Sequence, residues 1–358
     1  MRVGCRGPEH PSYDRGMTDI AHVLVANAKD GSISTFRFEG GRLERLAVTD
    51  GITGCSTFAV DAARDLVFAG VKGEPAGILT LSLDRETGRL TPRSRLDLPG
   101  GGMNYLALTR DGAGLLGASY GGGYGISCRI SDGVVGEPVS TVEFPNLHSV
   151  LPSADGRFAY FVSLGADLIA QYALDDELRL VPLRPETVAA PAGSGPRHLV
   201  LNDAQDAVYV LTEFSGEVLH YRRDAHSGAL DLQGASTAYD TTRGLGHSVF
   251  GAEPLANHYI WGADLHLGAG GSHLWASERT ESTLGAVAVA GDGSTSAPER
   301  FTVTETQPRG FTISPDGEYL IAAGEESTSV SLYAVRGDEL ELRQRIETGS
   351  GANWLRFV

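Results

Sequence analysis

The chain has 358 residues, of which 41% are hydrophobic, enough to bury a sizeable core, yet no apolar run reaches the roughly 18–20 residues of a membrane span. Its net charge of −16 argues against nucleic acid or an acidic membrane surface as a partner, because either needs a basic face. The 47 glycines are spread between short apolar runs, which reads as many turns and not as one linker.

Residues 1–16, MRVGCRGPEHPSYDRG, contain no apolar stretch of the kind a secretory signal requires. They read as a disordered tail or an unused upstream start, with a cytoplasmic location expected and a folded domain over 17–358. Cys5, Cys55 and Cys128 form no CxxC pair, and an odd number does not suggest a disulfide framework. After Met17, the segment HVLVANAKDGSISTFRFEGGRLERL supplies three strand-like runs.

A repeat then takes over. Copies begin at Ser56 (STFAVDAARDLVFAG), Asn104 (NYLALTRDGAGLLGASY), His148 (HSVLPSADGRFAYFVS), Arg197 (RHLVLNDAQDAVYVLTEF), Asp264 (DLHLGAGGSHLWASERT) and Arg309 (RGFTISPDGEYLIAAGEE). Each consists of four short runs rich in Val, Leu, Tyr and Phe, separated by Gly, Asp and Ser, with no helical period. Periods of 40–50 residues with four strands per unit describe propeller blades. The terminal NWLRFV is a first strand with nothing after it, and the N-terminal runs are a blade without a first strand. Joining them gives an all-β, seven-bladed β-propeller closed by the C-terminal strand, with no open sheet edge.

In a propeller the first strand of each blade lines the central channel. Aligning the repeats gives a polar residue at each entry: Ser56, Asn104, His148, Arg197 with His198, Asp264 with His266, Arg309 and Asn353. Strand starts are often polar because they leave a turn, but every blade is polar here. A second register, after the second strand, aligns Glu213 with Arg279 and Glu325. Arginines converging inside an acidic protein imply an anionic ligand, since guanidinium forks bind carboxylate or phosphate. His148, His198 and Glu213 are candidate proton carriers. Arg197, Arg279, Arg309, His266, Asn104 and Asn353 are candidate substrate contacts. No HExxH, P-loop or GxSxG motif is present. Three histidines are a possible metal set, but the arginines beside them would repel a cation, so neither metal nor cofactor is expected.

The stretches SGPRHLVLND, ADLHLGAGGSHLWASERTES and ETQPRGFTISPDGEYLIAAGEESTSVSLYAV resemble the propeller-type bacterial 6-phosphogluconolactonases. The wider family includes the fungal 3-carboxy-cis,cis-muconate lactonizing enzymes. The resemblance runs from about residue 22 to the end and implies the same seven-bladed fold. Carried over residue by residue, it implies a pocket of His148, Arg197, His198, Glu213, His266, Arg279 and Arg309. The first blade and the SYGGGYG loop match only loosely. The segment TTRGLGHSVFGAEPLANHYIWG looks longer than its counterpart and is expected to bring His247, His258 and Trp261 to the same rim.

The expected activity is hydrolysis of a small anionic sugar lactone by a monomer or weak homo-oligomer. The alternatives are the cycloisomerase reaction and a non-catalytic binding scaffold.

Overall fold

In the computed structural model, residues 21–358 are described; the expectation of a tail over 1–16 lies outside them. Seven antiparallel sheets stand around one axis. Blade 1 takes its innermost strand, Ala352–Phe357, from the C-terminus and its other three, Ala21–Asn27, Ser32–Glu39 and Arg42–Asp50, from the N-terminus. From inside outward, the next four blades begin at Thr57–Asp61, Tyr105–Leu108, Leu147–Pro152 and Pro196–Leu201. Blades 6 and 7 begin at Gly262–Leu267 and Gly310–Ile313. These innermost strands neighbour one another in order around the ring.

Burial explains the sequence pattern. The second strands of blades 2 to 5, such as Phe158–Ser163 and Ala207–Thr212, are buried along their whole length, so they read as continuous apolar runs. The outermost strands alternate; Val134–Glu143 shows exposed and covered residues in turn. Several hairpins between the first two strands use a Ser/Thr-x-Asp-Gly turn. In blade 4 the Asp155 carboxylate accepts from Ser153 Oγ and from the Arg157 amide at 3.0 Å, and Gly156 takes φ 75°.

The closure pairs Val23 with Phe357, Leu24 with Arg356 and Val25 with Leu355. Thr348 Oγ1 donates to Asn27 Oδ1 at 3.0 Å. Buried Trp354 donates from Nε1 to the Phe58 carbonyl at 2.9 Å, fastening the closing strand to blade 2. The expected overlap of the chain ends is therefore present, and it gives blade 1 the four strands that its neighbours have.

Candidate active site

Two rings of residues define one mouth of the channel. In four of the blades the inner ring is built on β-bulges. In blade 4, Leu147 pairs with Ser163 and Ser149 with Val162, leaving His148 as an extra residue. Blade 5 does the same at Arg197, between the Pro196–Thr212 and His198–Leu211 pairs. Blade 1 does it at Asn353, between the Ala352–Asn27 and Trp354–Ala26 pairs. In blade 6, Ala263 and Asp264 fall between the Gly262–Glu278 and Leu265–Ala276 pairs. A bulge re-aims the side chain it carries, which turns these residues out of the sheet alternation and into the channel.

The second ring follows the second strand of each blade and comprises Ala28, Lys72, Tyr120, Leu164, Glu213, Arg279 and Glu325. In six blades the backbone amide at this position donates to the carbonyl of the segment entering the inner strand, as in Glu213 to Gly195 at 2.6 Å and Arg279 to Trp261 at 3.0 Å. In blade 3 the Tyr120 amide instead donates to Asn104 Oδ1 at 3.0 Å. Asn104, a candidate substrate contact, thus holds the backbone of Tyr120. Lys72 and Tyr120 are absent from the candidates read off the sequence, although the same register, applied to every blade, includes both.

Glu213 sits between two guanidinium groups. Its Oε2 accepts from Arg197 Nε at 2.9 Å and lies 3.0 Å from Arg279 Nη2. Burial alone would raise its pKa, but Arg279, Arg197 and Arg309 outweigh that and hold the carboxyl below its ordinary value. Arg309 pairs with Glu325 at 2.8 Å. Arg279 also lies over the Trp261 ring, 3.8 Å from its centroid, and donates to the Gly262 carbonyl at 3.2 Å. Burial, only partly offset by Glu213, lowers the Arg279 pKa to about 9. Lys72, exposed at the rim, has its ammonium pKa lowered by desolvation and by nearby Arg309.

Beneath this charged layer lie two buried imidazoles, His148 and His198, with ring centroids 5.1 Å apart. Burial, then the Arg197 charge, drives both pKa values down, His198 to about 3 and His148 well below the usual histidine value. His198 Nδ1 is 2.7 Å from Asp264 Oδ1, and its Nε2 is 3.1 Å from Arg197 Nη1, so its lone pair faces a cation donor and not open space. His148 Nδ1 is buried without a protein partner, and the ring meets Tyr120 edge-on at 5.7 Å. Ser56 Oγ and Asn353 Oδ1, also at inner-strand starts, are likewise buried and unpartnered.

His148, Arg197, His198, Glu213, Arg279 and Arg309 therefore come together. His266 does not join them. It hangs from the other oxygen of Asp264, with Nε2 3.1 Å from Oδ2, and opens on the opposite mouth beside Leu151, Leu201 and Ile313. Two residues along a strand is a displacement of roughly 7 Å, which carries His266 past the arginine layer. Of the longer segment before blade 6, only Trp261 reaches the arginines. His258 is exposed and near Glu281, and His247 bonds the Ser248 carbonyl and lines a depression with Pro191 and Ser215. Among the described residues, no group of three or more His, Cys, Asp or Glu side chains has metal-binding geometry.

Residues 21–355 match the family model described as "Lactonase, 7-bladed beta-propeller". The chain belongs to that lactonase family. A 6-phosphogluconolactonase of Cronobacter sakazakii is 30% identical over 343 residues, covering 93% of this chain and 97% of that protein. One from an Enterobacter species is 30% identical with the same coverage. Among solved structures, a periplasmic gluconolactonase of Pseudomonas aeruginosa superposes with a TM-score of 0.82 at 24% identity, covering 95% of this chain and 99% of that one. The family match and the two 6-phosphogluconolactonase relatives agree with the resemblance read from the sequence, and the solved structure agrees in fold.

Proposed function

We propose that the protein hydrolyses a small anionic sugar lactone of the 6-phosphogluconolactone type at the arginine-lined mouth. The observation that carries this reading is the local charge balance. Lys72, Arg197, Arg279 and Arg309 stand against three carboxylates, Glu213 and Glu325 at the mouth and ionised Asp264 in the layer beneath, so positive charge is in excess inside a chain of net charge −16. A phosphate monoester, anionic at neutral pH and rich in acceptor oxygens, suits that positive excess. The two curated relatives above carry the 6-phosphogluconolactonase name.

In this reading the arginines and Lys72 hold the anionic group and thereby orient the ring. Glu213, ionised and gripped by two guanidinium groups, is a poor base and instead aims the forks of Arg197 and Arg279. His198 has its lone pair directed at Arg197, which leaves His148 as the group that activates water. The Arg197 charge that depresses the His148 pKa is partly neutralised when a dianion binds, so its basicity rises with substrate in place. The imidazole takes a proton from water, and the oxygen of that water attacks the lactone carbonyl carbon. The resulting oxyanion is met by an N–H of Arg279 or by the Tyr120 hydroxyl, whose pKa is raised by desolvation and nearby Glu213 and which stays protonated. The ring C–O bond then breaks, and the leaving oxygen recovers the proton from the imidazolium to give the open hydroxy acid. His266 and Asn353 are not needed as direct contacts, and Asn104 contributes by holding Tyr120.

Among the described residues no helix is long and apolar enough to cross a membrane. A phosphorylated substrate fits a cytoplasmic enzyme, because phosphate esters do not cross membranes unaided. The experiment is a panel of phosphorylated and unphosphorylated lactones, with 3-carboxymuconolactone included. Hydrolysis of the phosphorylated sugar lactone supports the proposal; turnover of only the muconolactone, or of none, overturns it.

A further inference from the structure

Asp264 is the most heavily engaged carboxylate of the channel. Oδ1 accepts from His198 Nδ1 at 2.7 Å and from the Leu265 amide at 3.0 Å. Oδ2 accepts from His266 Nε2 at 3.1 Å and from the Phe311 amide of the next blade at 3.2 Å. The residue is buried, and burial alone would raise its pKa; His266 and His198 outweigh this and keep the group ionised. A carboxylate only accepts hydrogen bonds, so each imidazole must present an N–H to it.

The consequence runs outward through His198. With its proton on Nδ1, His198 has its lone pair on Nε2, where Arg197 Nη1 donates at 3.1 Å. The other hydrogen of that nitrogen goes to the Ala263 carbonyl, and Nε–H goes to Glu213. Three of the five guanidinium hydrogens are thus committed, and the two on Nη2 have no protein acceptor among the described residues. We infer that Asp264 is a positioning residue: by setting the tautomer of His198 it turns Arg197 so that Nη2 faces the anion. This rests on the anion-clamp reading above, and Asp264 itself touches no substrate.

His266 makes the inference sharper. Neutral imidazole left to itself prefers its proton on Nε2, the nitrogen with which His266 meets Asp264. His198 is held in the other, less favoured form. In Asp264→Asn, the single amide oxygen therefore goes to His266, while the amide NH₂ faces His198 Nδ1. His198 then moves its proton to Nε2, and two donors, Nε2–H and Nη1–H, confront each other, displacing the Arg197 fork.

The test uses the full chain with histidines labelled by nitrogen-15, whose ring signals distinguish the two neutral tautomers. In the wild type, His198 is expected as the Nδ1–H form. In Asp264→Asn, His198 is expected as Nε2–H, with the dissociation constant for inorganic phosphate raised by about tenfold or more, as for a lost charged hydrogen bond. KM for the lactone should rise likewise, with kcat changed far less. His198→Phe, which removes the acceptor without touching Asp264, should weaken phosphate binding to a similar degree. A wild-type His198 protonated on Nε2 overturns the inference. So does an Asp264→Asn protein with an unchanged tautomer, or one with a switched tautomer and unchanged phosphate affinity. The tautomers are read without ligand, so absence of lactone turnover would sink the hydrolase reading alone.

Discussion

The seven blades share one backbone plan at the channel mouth, but the side chains on it divide into two walls. After the second strand, blades 5, 6 and 7 carry Glu213, Arg279 and Glu325, whereas blades 1, 3 and 4 carry Ala28, Tyr120 and Leu164, and only Lys72 on blade 2 is charged. The inner ring repeats the division, with Arg197, Asp264 and Arg309 on one side and Asn353, Ser56 and His148 on the other. Backbone geometry is thus nearly seven-fold, while the chemistry is one-sided. A symmetric ring of charges would hold an anion on the axis in any rotation. A single charged wall gives it a direction, and places the remainder of the substrate against His148 and Tyr120 opposite.

The largest expected effect breaks the frame shared by both walls. Deleting residues 352–358 removes the innermost strand of blade 1 and leaves the inner edge of Ala21–Asn27 unpaired. The protein should lose its cooperative thermal transition and aggregate. A soluble truncation with a normal transition would show that the ring does not need the closing strand.

The next test separates the walls by kinetics. His148→Ala should lower kcat by about a hundredfold or more on the preferred lactone, with KM nearly unchanged. Arg309→Ala should instead raise KM by about tenfold to a hundredfold, the loss of roughly 1.5–3 kcal/mol expected for a charged hydrogen-bond partner. Glu213→Gln should resemble the arginine change, because it releases two forks. If it abolishes kcat at unchanged KM while His148→Ala is fully active, the carboxylate is the base and the roles are reversed.

Acid should reveal the cost of burying neutral imidazoles. His148 and His198 have folded pKa values below the ordinary 6.5, so the unfolded chain binds more protons between those values. Their contribution to stability is fully present above about pH 6.5 and is lost progressively as the pH falls below it. The melting temperature should therefore drop from pH 7.5 to pH 5, and His198→Gln should flatten that slope. An unchanged slope in the variant would mean that His198 is not the buried neutral group described. The smallest effect belongs to the rim. Lys72→Met should raise KM for a phosphorylated lactone by only a few-fold, since an exposed charge is screened by solvent and salt, and should leave an unphosphorylated one unaffected.

Much of this division could be read from sequence, and the failures have physical causes. Repeat spacing and the unmatched NWLRFV strand pointed to the ring and its closure, because strand alternation and turn chemistry are local signals. The charged wall was visible in the GPRH, SERT and QPRG stretches. Tyr120 and Lys72 were missed because the register was followed only where charged repeats stood out. The placement of His266 failed because strand alternation tells which face a residue occupies, not how far along the channel it lies. The bulges at His148, Arg197 and Asn353 leave no local pattern at all; they appear only when two strands are paired. The bridging of two histidines by Asp264 likewise depends on blade 5 meeting blade 6.

The account stands most directly on substrate preference. The measurement is the ratio of kcat/KM for 6-phosphogluconolactone to that for the unphosphorylated lactone, taken in the wild type and in Arg309→Ala. The charged wall predicts a ratio of about ten or more in the wild type, falling towards unity in the variant. Equal rates on both lactones in the wild type, or a preference that survives the loss of Arg309 intact, would contradict it.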